Sequence, residues 1–139
     1  MKDYGLAVGI ILVVAIGFII RAGCSPSNNS ILDDFIALEI QNIPQAITDS
    51  RGLIEEIEIY KDDEGDGIIY ECYLSEDSGV DIDQLTEERC RAGIKLALKV
   101  SPQYKFLKSL LDKGIYMVYR YNDYDDEFLL EVIIDKDDL

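Results

Sequence analysis

An uninterrupted run from Leu6 to Ile20 constrains this chain most: fifteen residues without a charge or a strongly hydrogen-bonding side chain, closed by Arg21-Ala22-Gly23-Cys24. The run has no polar face, so it does not suit a helix lying on a soluble core. A membrane span needs about 20 residues, whereas the apolar core of a secretory signal needs about 7 to 15. A signal segment over residues 1–23 is the first expectation, with a polar linker over 24–30 and one acidic domain over 31–139. A domain of that length can bury a single core.

The end of the run carries a family resemblance. Ala22-Gly23-Cys24 sets two small residues before a cysteine, and polar, turn-forming Ser25 to Ser30 follow. This stretch resembles the lipobox of bacterial lipoproteins, with Arg21 where that family usually has leucine. The resemblance implies cleavage before Cys24, acylation of its thiol and, through Ser25, outer-membrane sorting of the Gram-negative kind. The alternative is an uncleaved span from about Tyr4 to Ile20 flanked by Arg21. Lys2 and Arg21 lie on opposite sides of the run, so charge bias does not separate the two. Both readings tether the domain to a membrane through a lipid or an anchor. The expected location is the cell envelope, with the domain outside the cytoplasm, periplasmic or at the cell surface.

Setting residues 1–23 aside removes Lys2, Arg21 and Asp3 and leaves 11 basic and 27 acidic side chains, a net charge of −16. Such a domain repels nucleic acid phosphates and anionic headgroups, so no nucleic acid partner is expected and a basic protein is the natural complement. The chain has three cysteines. Lipidation of Cys24 leaves Cys72 and Cys90 for a disulfide, the alternative being two buried thiols that never meet. Histidine is absent, so Ser-His and Cys-His nucleophile systems cannot be built and zinc loses its commonest ligand. A non-catalytic protein without a cofactor is the resulting expectation.

Periodicity outlines an α+β fold. Ile31, Leu32, Phe35, Ile36, Leu38 and Ile40 predict a helix capped by Ser30 and ended or kinked by Pro44. Strands are expected over 53–61 and 68–74, a helix capped by Thr86, a further helical piece after Pro102, and strands over 115–121 and 128–134. The order α-β-β-α-α-β-β predicts a four-stranded antiparallel sheet of two hairpins with helices on one face. A duplicated α-β-β unit is a further expectation, since Pro44-Gln45 and Pro102-Gln103 precede Tyr60 and Tyr119 at similar distances. Cys72 and Cys90 both point into the helix–sheet core on this reading, and the tail from Asp135 is solvated.

Two acidic turns stand out. Asp62, Glu64, Asp66 and Gly67 match the opening of a calcium loop, but its last ligand position falls on Tyr73 and the flanks read as strands, so a hairpin turn is favoured and no metal is expected. The second turn holds Asp125 and Asp126. Tyr60 and Tyr73 face outward with Glu58 and Glu71, the composition of a surface that receives a cationic protein. The expected function is an envelope protein that binds a basic partner through this face and the hairpin tips, Asp62, Glu64, Asp66, Asp125 and Asp126, in the manner of an immunity protein or inhibitor. The alternatives are an accessory or assembly lipoprotein that docks through Arg91, Lys95 and Lys99, and a small-ligand or calcium-binding module.

Overall fold

The computed structural model describes residues 28–79, 83 and 85–139; the apolar run, Cys24 with its expected lipid and the linker up to residue 27 lie outside the described residues. The chain enters through helix α1, Asn28–Gln41, and short helix α2, Ile43–Asp49. Residues 28–30, expected as linker, are already helical, so Ser30 is inside the helix rather than its cap. Pro44 sits in the first turn of α2, where its missing N–H costs nothing. Arg51 and Gly52, both with positive φ, then turn the chain into strand β1, Ile54–Lys61. Strand β2 follows at Gly67–Leu74.

Helix α3, Glu87–Val100, begins as expected, with the Thr86 side chain accepting from the Arg89 N–H and Glu87 and Glu88 in its positive first turn. Helix α4, Tyr104–Asp112, leads through Gly114 into β3, Tyr116–Asn122, and β4, Phe128–Ile134. The α+β class and the four strands thus stand, with one more α-helix among the described residues than expected.

The sheet is mixed, not antiparallel. Its order is β1-β2-β3-β4, with β1/β2 and β3/β4 antiparallel but β2/β3 parallel. The cause lies in the connection. The 14 residues of α3 span about 21 Å, one strand length, and carry the chain back across the sheet. The shorter α4 then stays at that end, so β3 enters where β2 entered. The helix-helix-strand-strand order occurs twice along the chain, but a translated copy would run β3 antiparallel to β2, so the halves do not dock as simple repeats.

One face of the sheet carries the core. Ile57, Ile59, Ile68, Tyr70, Met117, Tyr119, Tyr121 and Val132 pack with Leu32 and Phe35 of α1, Ile94 and Leu98 of α3, and Leu107, Leu110 and Leu111 of α4. Tyr70 and Tyr119 stack with centroids 4.8 Å apart. Cys72 and Cys90 lie in this core as expected, but no disulfide joins them. Helix α3, which bears Cys90, packs on β4, two strands from the one that bears Cys72. Burial pushes the Cys72 thiol well above its usual range. The tail also departs from expectation. Lys136–Asp138 form a 3-10 turn capped by Asp135, and Leu139 packs on the core.

Candidate functional site

Strand alternation leaves the other face of the sheet without a covering helix among the described residues. In register across the strands, its residues form rows. Glu56, Tyr73, Asn122 and Phe128 make the first row. Glu58, Glu71, Arg120 and Glu131 make the second, and Tyr60, Ile69, Val118 and Ile133 the third. Asp62, Gly67 and Tyr116 close the far end, where the Asp62 N–H donates to the Gly67 carbonyl at 2.9 Å.

The second row holds the charge. Arg120 donates from Nε to Glu131 Oε1 at 2.8 Å and from Nη1 to the Tyr60 hydroxyl at 3.3 Å. Tyr60 in turn donates to Glu71 Oε2 at 2.8 Å. Burial and the Glu71 carboxylate raise the Tyr60 hydroxyl above its ordinary value. Glu58 and Glu71 are directly opposed across β1 and β2, a like-charge pairing that weakens a sheet. Tyr73 hydrogen-bonds Glu58, and burial followed by the Glu71 and Glu58 charges pushes its hydroxyl up to about 12. Tyr60 and Tyr73 are therefore hydrogen-bond donors to carboxylates throughout the neutral range.

The acidic turn of the first hairpin is organised by Tyr116. Its ring lies over Gly67, where an added Cβ would sit 2.3 Å from Cε2, and its hydroxyl donates to Asp62 Oδ2 at 2.5 Å. That bond to Asp62 pushes Tyr116 up to about 12 and holds the Asp62 carboxyl below its usual value. Asp62 Oδ1 also accepts the Glu64 N–H at 2.9 Å. Gly67 is thus required by an aromatic ring rather than by a calcium loop. Among the described residues no group of three or more candidate ligands is placed to hold a metal ion. Glu64 is exposed and Asp66 half-buried beside it.

In the second turn Asp123 Oδ1 accepts from the Asp125 and Glu127 N–H groups at 2.8 and 3.0 Å, leaving the Asp125 and Asp126 carboxylates exposed. The parallel pairing of β2 and β3 sends the two tips to opposite ends of the sheet, about 20 Å apart along the strands. An all-antiparallel sheet would have put them at one end. Tyr60, Tyr73, Glu58 and Glu71 come together between them. Below Tyr116 a depression of about 560 Å³ has Val118 and Ile133 in its floor and Asp62 and Asp135 on its rim.

No family model, curated protein or solved structure matches this chain. The open face is therefore read from its own residues. Its chemistry is hydroxyl–carboxylate and carboxylate–guanidinium pairing, suited to recognition. Among the described residues the one carboxyl held near neutrality is Glu39, raised by burial to about 8, and it is sealed under the sheet with the Tyr70 hydroxyl donating to it at 3.4 Å.

Sequence reasoning missed Arg120, Glu131, Asn122 and Phe128. A signal was present for the first two, because pairing β3 with β4 around a turn at 123–127 places the one arginine of that hairpin opposite its one strand carboxylate. Glu39 was legible too. The buried phase set by Leu32 and Phe35 continues to position 39, not to Ile40, which is exposed. On the helical side, Arg91 is engaged within the chain, with Glu87 at 2.6 Å, Asp138 at 3.2 Å and the Ile133 carbonyl at 2.8 Å.

Proposed function

We propose that the chain is a membrane-anchored, non-catalytic protein of the cell envelope that binds a basic partner protein through the open face of its sheet, as an immunity protein or inhibitor does. The observation that carries this reading is the second row, in which three carboxylates stand beside one guanidinium that pairs with Glu131 alone among them, while Tyr60 and Tyr73 donate to Glu71 and Glu58. The two acidic tips extend that field beyond both ends of the face, which favours capture of a cationic surface and its orientation. The anchor belongs to the same proposal: a signal segment over 1–23, cleavage before Cys24 and acylation of its thiol.

The test pairs capture with charge reversal. Cross-linked capture from envelope extracts is run with the wild type and with a variant carrying lysine at Glu58, Glu64, Glu71, Asp66, Asp125 and Asp126. Asp62 is spared because it holds Tyr116. Basic proteins captured by the wild type at low salt are expected to be lost at high salt and with the variant. An unchanged set of captured proteins would overturn the reading.

The second reading, docking through the helical side as an accessory lipoprotein, is favoured by one observation. Leu96 and Val100, four residues apart on α3, are 49% and 70% exposed beside Lys95 and Lys99. Arg91, once expected in that surface, is committed to the C-terminal turn instead.

A further inference from the structure

Resting on the open face as a protein-binding surface, we propose that Glu58, Glu71, Tyr73 and Asn122 form its anchor subsite and that this subsite takes an arginine of an extended segment of the partner. The guanidinium lies between the two carboxylates, and the Asn122 amide, enclosed in the free protein, turns outward on binding to donate from Nδ2 to the neighbouring peptide carbonyl.

Two independent observations meet here. The first is the direct opposition of Glu58 and Glu71. Like charges face each other there, and the nearest cation, Arg120, is directed to Glu131 and Tyr60 instead. A second guanidinium would relieve the opposition. The second observation is Asn122, only 5% exposed, whose Nδ2 has no hydrogen-bond partner among the described residues. An unsatisfied buried donor is costly, and most buried side-chain donors in folded proteins are paired; the Tyr121 hydroxyl, on the core face, is the other unpartnered one among the described residues. Asn122 is on the open face because it pairs in register with Tyr73, which itself lies beside Glu71 and bonds Glu58.

The donor set selects the ligand. Carboxylates exclude an anion, and an amide donor beside them asks for a neutral acceptor, which a peptide carbonyl supplies. Two side-by-side carboxylates fit the planar fork of a guanidinium better than the point charge of an ammonium. The Tyr73 ring, with Phe128 at the end of the same row, offers a face on which a guanidinium can stack.

The test is a titration of the full chain in detergent micelles with the capped tripeptide Ac-Ala-Arg-Ala-NH2 and its lysine and citrulline counterparts, following the Asn122 side-chain amide by NMR. A saturable shift with the arginine peptide, a weaker one with lysine and none with citrulline are expected. Glu58→Gln with Glu71→Gln should weaken binding by roughly tenfold or more. Where that double variant does not fold, Glu71→Gln and the citrulline peptide on the wild type decide. No saturable shift at Asn122, or equal binding of citrulline, would overturn the subsite and leave the capture result, and with it the broader reading, standing. Unchanged capture by the charge-reversed variant overturns the broader reading whatever the peptide does.

Discussion

Glu39 is the residue whose surroundings contradict its chemistry. It is 2% exposed under the sheet, with the Tyr70 hydroxyl at 3.4 Å and the stacked pair of Tyr70 and Tyr119 beyond. Burial raises its carboxyl from 4.5 to about 8, and the Tyr70 bond only partly offsets this. The folded protein therefore keeps a proton that the unfolded chain releases above pH 4.5. Stability attributable to this group falls as pH rises from about 4.5 to 8 and is level beyond, by at most about 5 kcal/mol. Glu39→Gln should match the wild type near pH 4 and exceed it in urea midpoint at pH 8. Equal midpoints at pH 8 would show that Glu39 is ionised and solvated in the fold. The other residue-scale constraint is Gly67, whose missing side chain is the space that Tyr116 occupies on its way to Asp62. From the sequence that glycine reads as turn chemistry, because a ring arriving from 49 residues further along leaves no local mark.

At the scale of elements, β4 is the exposed edge that most needs protection. It is Phe-Leu-Leu-Glu-Val-Ile-Ile, and a flat apolar edge invites another strand. Two devices blunt it. The register with β3 shifts near Tyr121 and Asn122, which bends the edge. Arg91 reaches from α3 to the Ile133 carbonyl at 2.8 Å, while Asp138 in the C-terminal turn holds the same guanidinium. The other edge, β1, defends itself with Glu55, Glu56 and Glu58. Arg91→Ala should therefore do more than remove a salt bridge. It is expected to cost about 1 kcal/mol and to raise self-association, seen by light scattering as concentration increases. A variant that stays monomeric would show that the bend alone protects the edge. The hairpins, the Thr86 cap and the strand boundaries were legible, since period and turn chemistry are local signals. The direction of β3 was not. It depends on how far α3 and α4 carry the chain, and the break at Ser101-Pro102 reads equally as a return or as a stop. The docked tail was hidden too, because its partner Arg91 lies 47 residues away.

For the whole molecule, the single core governs what its thiols can do. Cys72 and Cys90 are both buried, and neither is cross-linked. Stability should not depend on a reductant, and alkylation of both should proceed only as fast as the fold opens. Labelling mass spectrometry against a denatured control checks this. Rapid native labelling, or a melting temperature lowered by dithiothreitol, would contradict the arrangement. The parallel seam between β2 and β3 has a consequence for how the chain assembles. Each hairpin closes on a turn of a few residues, but the seam joins strands separated by residues 75–115 and must wait for that long loop to close around α3 and α4. The two hairpins are thus expected to form early and independently, with the zipping of Ile69 against Val118 as the late step that makes them one sheet. Until it happens, both inner strand edges are bare, and the like charges of Glu58 and Glu71 are already locked together in the first hairpin. On that order of events the chain holds two opposed carboxylates before the arginine of β3 arrives beside them.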